Sequence, residues 1–418
     1  MTPPDARPDP RRLSRRAAVV AAVEEAAPVI LGHLDALHAD PELSGEERRA
    51  AARLTASLET EGFEVRRGLA GLDTAFQATR RLGPGPAVAF LAEYDALPGL
   101  GHGCGHNLIA AAAIGAGLAA VRAAGAGEIR VIGTPAEETV GGKIVLAESG
   151  MFDGIDAALM VHPGNEDRVF TDSLACHSVQ IEFQGRAAHA VAHPEKGINA
   201  LDALVQLYMA AAQIQKSSPR DVHLPGVLTE GGVRANVVPE RAVGQWTVRA
   251  PDAAIRNRTV GRLRAAAEGI AAATGCTVRI VSLDNPYEAM RTNHTIAARA
   301  REHFAAEGVA TADAPRENKG SLDMGNVSVR TPSLHAYVRI APPEVPSHSA
   351  AFAAASVSGA GRAAALLAAR VLAATASDFI AEQDLADSAR AEFAAARAGA
   401  GPAGTPPVET PLLRARPV

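Results

Sequence analysis

Residues 91–107 read LAEYDALPGLGHGCGHN, and their reading decides the fold. An apolar run over residues 88–91 leads directly into Glu93, Asp95, His102, Cys104 and His106. Carboxylate, thiol and imidazole side chains at the end of a buried strand are costly unless they are paired or bound to a metal. The stretch therefore reads as one wall of a metal centre, and the question becomes whether the flanking chain supplies the other.

Outward from it, residues 63–67, 75–79 and 87–91 read as strands, with a GPGP turn before the last. An alanine-rich helix over 107–124 begins immediately after His106. A strand over 128–132 runs into GTPAEE at 133–138, a helix covers 141–149, and a strand over 156–161 ends on His162-Pro163. Alternation of strand and helix predicts an α/β fold with a mixed, largely parallel sheet flanked by helices. Sites in such sheets form outside the carboxyl ends of the strands, where the polar clusters at 93–106, 134–138 and 162 all fall.

Upstream, a helix over 13–39 carries an apolar face, with Pro28 expected to kink or divide it. Ser44 followed by Glu47 reads as a capping box for a second helix ending near Gly62. Downstream, strand 178–184, helix 197–215, strands 224–229 and 242–250, helix 252–274 and strand 277–283 give the β-α-β-β-α-β order of a ferredoxin-like unit. Helices at 292–307, 350–374 and 378–396 follow, with SLDMGNVSV and PSLHAYVRI between the first two. The expected organisation is a discontinuous catalytic, metal-binding domain (11–175 and 286–396), an inserted lid or dimerisation domain (176–285), and disordered ends (1–10 and 397–418).

A chain of 418 residues exceeds what one hydrophobic core serves. Its net charge of −5 offers no basic stripe for nucleic acid and no polybasic membrane patch. Three widely separated cysteines cannot build a disulfide framework, so a reducing, cytoplasmic setting is expected. Arg11, Arg12, Arg15 and Arg16 ahead of AAVVAAV imitate an export signal, but Glu24 and Glu25 interrupt a run too short to span a membrane.

Cys104-Gly105-His106 places a thiol and an imidazole two residues apart on a glycine turn, where both can reach one ion; alone, the pair reads sooner as a buried free thiol beside a structural histidine. Glu137-Glu138 can place one carboxylate on metal while its neighbour reaches a water that needs a base. His162 and His348 would each pass unnoticed singly. Together these groups suffice for two ions sharing a bridge.

The motifs resemble those of the two-metal aminoacylase and carboxypeptidase G superfamily of metallopeptidases, especially its p-aminobenzoyl-glutamate hydrolase and β-alanyl-lysine dipeptidase branch. The resemblance runs through HADPELSGEE, EYDALPGLGHGCGHN, GTPAEE, MVHPG, GRAAHA, GGVRANVVP, SLDMGNVS and PSHS, in order, over most of the chain. It implies a metal-dependent amidohydrolase or peptidase of aminoacylase, carboxypeptidase or dipeptidase type. Cys104, His106, Glu138, His162 and His348 match the ligands of two divalent ions, with Cys104 bridging and zinc favoured over manganese or cobalt. Glu137 matches the general base, His189 a lid histidine that reaches the partner's site in dimeric members, and Asn236 a lid residue close to substrate. A homodimer through the lid is implied.

Many relatives read His-x-Asp or Asp-x-Asp where this chain has Glu93-Tyr94-Asp95, and CGHD where it has CGHN. Glu93 and Asp95 are accordingly expected to orient metal-binding imidazoles. His335 and Asp323 are further candidates near the site, and Arg234, Arg291 and Lys319 could hold a substrate carboxylate. The rival readings are a non-catalytic metal-binding scaffold or regulatory subunit, and a carbamoylase or aminopeptidase on the same centre.

Overall fold

The computed structural model describes residues 9–313 and 320–399. The expected disorder at 1–8 and after 399, and Lys319, lie outside these residues.

The chain opens with α1 (Pro10–Ala39) and α2 (Arg48–Thr60), then β1 (Glu64–Leu69) and β2 (Leu72–Arg81). Next come β3 (Ala87–Ala92), α3 (His106–Ala123), β4 (Glu128–Gly133), α4 (Gly142–Glu148) and β5 (Ala157–Gly164). A second run follows, β6 (Ala175–Gln184), α5 (Ala200–Lys216), β7 (Gly226–Glu230), β8 (Arg241–Ala250), α6 (Ala253–Thr274) and β9 (Thr277–Ser282). The chain then returns through α7 (His294–Ala306), α8 (Met324–Ser328), β10 (Ser333–Arg339), α9 (Ala350–Ser356), α10 (Gly359–Ala381) and α11 (Gln383–Gly399).

The larger sheet has the order β1-β2-β4-β3-β5-β10, parallel from β4 through β10 and antiparallel at the β1-β2-β4 edge. Both faces of its central strands are covered, and β3 is buried at every position. That is why residues 87–92 are continuously apolar rather than alternating. One face packs on α1, α3 and α10 through Val23, Ile30, Ile114 and Leu372. The other closes on Val145, Leu146, Phe152 and Met324. The smaller sheet, β7-β8-β6-β9, is antiparallel throughout and packs α5 and α6 on one face around Phe183, Leu204, Trp246 and Leu263.

Four local expectations are corrected. Pro28 does not divide α1, which runs unbroken through it; the cost of a helix-interior proline, about 3 kcal/mol, is offset by Val19, Val23, Ile30 and Leu34, all fully buried beneath the helix. Ser44 and Glu47 form no capping box, because both side chains turn inward to tertiary partners; the α2 start is capped instead by Glu42, whose Oε2 accepts from the Ala50 amide over 2.8 Å. The alanine-rich stretch over 350–374 is two helices, divided where Ser358 accepts from the Gly361 amide to start α10. Pro10 and residues 397–399, placed above in disordered ends, belong to α1 and α11; a proline at the first helical position loses no hydrogen bond.

By length and composition α1, α3 and α10 are each long and apolar enough to cross a membrane, so the N-terminal helix is longer than its unbroken apolar run implied. Most of the apolar windows of α3 and α10 lie inside the molecule.

Candidate metal centre and active site

The parallel strands deliver the site. β3 ends one residue before Glu93, β4 ends four residues before Glu137, and β5 carries His162. The turn after β3 then folds back to start α3 at His106. Gly105 makes that return possible, since its φ is +81° and a Cβ there would stand 2.4 Å from Cγ of Pro163. His348 joins from the loop before α9, its amide donating to the Gly103 carbonyl over 2.8 Å. It sits at φ +61°, a left-handed conformation uncommon outside glycine.

Cys104, His106 and His162 offer ligand atoms within 4.8 Å of one another, as do Cys104, Glu138 and His348, and His106, Glu137 and Glu138. Cys104 belongs to two of these groups, the arrangement a bridging thiolate requires. Its Sγ is 3.6 Å from Nε2 of His162, and Glu138 Oε1 is 3.4 Å from Nε2 of His348.

Both histidines of the inner group are oriented through the opposite ring nitrogen. His106 Nδ1 lies 2.9 Å from Asp95 Oδ1, and His162 Nδ1 lies 2.6 Å from the Pro163 carbonyl. Each ring thus turns Nε2 toward the cluster, the pattern by which an outer partner fixes the tautomer of a metal-binding imidazole. Among the described residues, buried His106 Nε2, Glu138 Oε1 and Glu93 Oε2 make no hydrogen bond, their nearest polar contacts being ion-pair approaches of 3.3 Å between His106 and Glu93 and 3.4 Å between Glu138 and His348. Buried polar atoms are rarely left so. A lone pair on an imidazole, two carboxylate oxygens and a thiol converging at these separations fit divalent metal.

Asp95 supports the expected orienting role directly. Burial opposes its ionisation, but His106, the Glu138 amide and the Ser44 hydroxyl outweigh it and hold the carboxyl well below its ordinary range. Glu93 sits differently: its Oε2 is 3.3 Å from the inward-facing His106 Nε2 rather than from the outer nitrogen, and its Oε1 is paired with Lys143. Lys143 was not foreseen. Its ammonium is fully buried between Glu93 and Asp323, 2.8 Å from the latter, and Asp323 also accepts from its amide. Burial opposes ionisation of Glu93, but Lys143, His106 and His162 outweigh it and keep the carboxyl below its ordinary value. The signal available in the sequence was one lysine inside GGKIVLA, which reads as an ordinary helix-surface cation.

Glu137 is half-buried, and its carboxyl is pushed well above its ordinary value by burial, then by Asp323 and Glu93. Burial likewise pushes the Cys104 thiol up to about 12 against the pull of His106; a bound divalent ion reverses that and deprotonates a thiol outright. The cavity over the cluster holds 570 Å³ and is lined by Glu93, Cys104, Glu137, Glu138, His162, His335, Tyr337 and His348 among others. Its size suits a small substrate.

His189 and Asn236 do not line this cavity. They lie on adjoining exposed loops beside the smaller sheet, where the Ala190 amide donates to the Asn236 carbonyl over 3.0 Å. Arg234 is exposed and Arg291 lines a separate cavity of 650 Å³ with Arg168 and Arg301, so neither meets the cluster.

An α/β scaffold with a dinuclear donor set at its strand ends defines a class of metal-dependent enzymes, and the comparisons with known proteins narrow it. The profile of peptidase family M20/M25/M40 matches residues 89–385. The Xaa-Arg dipeptidase of Mus musculus is 37% identical over 78% of this chain and 80% of its own. The p-aminobenzoyl-glutamate hydrolase of Escherichia coli has a component chain that is 33% identical over 63% of this chain and 60% of its own. The structure of Bacillus subtilis YXEP, a dinuclear metal-binding peptidase of family M20, superposes with a TM-score of 0.63 at 25% identity, covering 84% of this chain and 99% of that one. The chain belongs to peptidase family M20/M25/M40, and it is a metal-dependent hydrolase of the amidohydrolase and peptidase type.

Proposed function

We propose that the protein hydrolyses the amide bond of a small N-acyl amino acid or dipeptide-like substrate, with Glu137 as general base and proton shuttle. The observation that carries this is the Glu137 carboxyl standing with His106 and Glu138 in one group of ligand atoms, at the rim of a 570 Å³ cavity. Two divalent ions, zinc by the preference of thiolate and imidazole, with manganese or cobalt as alternatives, supply Lewis acidity to a water and to the scissile carbonyl.

Cys104, His106, Glu138, His162 and His348 hold the ions. Glu137 removes a proton from water and passes it to the departing amine. Half-buried beside His106 and Glu138, it stands where it can reach a water at that group and then the departing amine. His189 and Asn236, exposed on adjoining loops, contribute oxyanion contacts when the smaller sheet closes over a site or a partner subunit presents them.

A homodimer through the smaller sheet is supported by Val205, Tyr208 and Met209 of α5 and Val227 and Leu228 of edge strand β7, all exposed. An open strand edge beside apolar side chains is a surface that a second copy covers. Three free cysteines support a reducing, cytoplasmic setting. The name of the mouse relative puts dipeptides ending in arginine first in a substrate panel, followed by β-alanyl dipeptides, p-aminobenzoyl-glutamate and N-acyl amino acids.

The deciding experiment is Glu137→Gln. Turnover is expected to fall by roughly 10²–10⁴ while metal content stays near that of the wild type. Turnover close to wild type in a clean preparation refutes the assignment.

A further inference from the structure

We propose that Glu47 is a positioning residue, which holds Ala136 in a left-handed conformation and thereby sets where Glu137 and Glu138 point. The proposal rests on the roles given above to those two carboxylates.

Glu47 is fully buried and lies upstream of the 89–385 family match. Its Oε1 accepts from the Gly45 amide over 2.7 Å and from the Ala136 amide over 2.9 Å, and its Oε2 accepts from the Thr74 hydroxyl over 2.7 Å. Ala136 has φ +58°, a conformation that a residue with a Cβ keeps only where its surroundings over-determine it. It immediately precedes Glu137, and its carbonyl accepts from the Gly142 amide over 3.3 Å, closing the turn that carries both carboxylates.

The same segment braces the far side of the pair. Ser44 Oγ donates to Asp95 Oδ2 over 2.7 Å, and that oxygen also accepts from the Glu138 amide over 3.0 Å. Residues 44–47 thus grip the turn at the amides just before Glu137 and at Glu138. A buried carboxylate is costly unless its lone pairs are used, and here one is used on the single backbone amide whose position decides the turn. Burial and the nearby Asp95 push this carboxyl up to about 7, and Oε1 accepts from both amides whether or not Oε2 carries a proton.

The test uses full-length, zinc-loaded protein bearing Glu47→Ala, Glu47→Asp, Glu47→Gln, Glu47→Ala with Ala136→Gly, or Glu137→Gln. The readouts are kcat and KM on the best panel substrate, and the rate of Zn²⁺ release to a chromogenic chelator. Glu47→Ala should lower kcat about 100-fold, the usual effect of a misplacement of about 1 Å, with KM moving less than about 3-fold, and should accelerate Zn²⁺ release because Glu138 shares the turn. Glu47→Asp, one methylene short of the Ala136 amide, should lose at least about 10-fold in kcat, and it serves if the alanine variant fails to fold. Glu47→Gln should stay within about 3-fold of wild type, since its Oε1 still accepts from both amides.

Ala136→Gly should recover about 10-fold in the Glu47→Ala background, because glycine adopts positive φ without the Cβ penalty; with kcat taken per folded, metal-loaded chain, a residue serving only global stability shows no kcat loss to recover. Wild-type kcat and Zn²⁺ release in both Glu47→Ala and Glu47→Asp overturn the proposal. So does Glu47→Gln as impaired as Glu47→Ala, or an absent glycine rescue. Full turnover in Glu137→Gln overturns instead the general-base assignment, and Zn²⁺ release still reports whether Glu47 places Glu138.

Discussion

Replacing Lys143 by methionine tests the electrostatics beneath the site. The ammonium is fully buried, and the side chains of Glu93 and Asp323 are 3% and 1% exposed. At the 2.8 Å of the Lys143–Asp323 pair, an effective dielectric of about 20 gives an attraction of roughly 6 kcal/mol. Most of that is offset by desolvating the charges, but deleting one partner of a buried pair strands the other, at about 3–5 kcal/mol. Lys143→Met should therefore lose about 3–5 kcal/mol of unfolding free energy at pH 8, measured by urea denaturation of chelator-treated protein.

The loss should shrink toward pH 5. In the wild type the Glu93 carboxyl is held below its ordinary value, so its contribution is present above that value and lost as the pH falls through the depressed one. In the variant both carboxyls lose their cation: Glu93 rises above its ordinary value and Asp323, already pushed up to about 6 in the wild type chiefly by burial, rises further, so that protonation relieves the strain as the pH falls. A loss under about 1 kcal/mol at pH 8, or one equal at pH 5 and pH 8, refutes the reasoning.

Three further outcomes follow from other contacts. Asp378, paired with Arg15, Arg299 and His303 at 2.9–3.1 Å, ties α1 and α7 to α10; burial opposes its ionisation, but His303, Arg15 and Arg299 outweigh it and hold the carboxyl at about 2 against an ordinary 3.8. Asp378→Asn should cost about 3 kcal/mol at pH 7, and the difference from wild type, present above pH 3.8, should vanish as the pH falls through about 2 in acid titration. Gly105→Ala should disrupt the return of the chain into α3, because the new Cβ meets Pro163 and φ is positive; metal analysis should find less than the wild-type content in the folded fraction. Met209→Glu, on the exposed face of α5, should shift the protein to monomer in light scattering, and an unchanged mass assigns the interface elsewhere.

The candidate site was legible from sequence wherever a residue of metal-ligating type sat at the end of an apolar strand. The run into Glu93, Cys104 and His106, the GTPAEE turn after β4 and His162 at the end of β5 announce themselves by charge following hydrophobicity. What was hidden lies in side chains whose local setting reads as something ordinary. Ser44 and Glu47 match a capping box because the pattern is local; only folding brings Asp95 and Ala136, 51 and 89 residues away, to compete for the same side chains and win. Lys143 carries no local signal of its burial, since no periodicity reveals that Glu93 and Asp323, 50 and 180 residues distant, will close over it.

The sequence by itself determined the two orders of strand and helix that build the two sheets, and the donor types offered at their ends, because hydrophobic pattern and residue chemistry are properties of neighbours along the chain. Only the tertiary structure decided which donors meet, which nitrogen of His106 and His162 turns inward, and which carboxylates are held charged or driven toward neutrality. Those are consequences of distance and burial, and both are set by residues far apart in the chain.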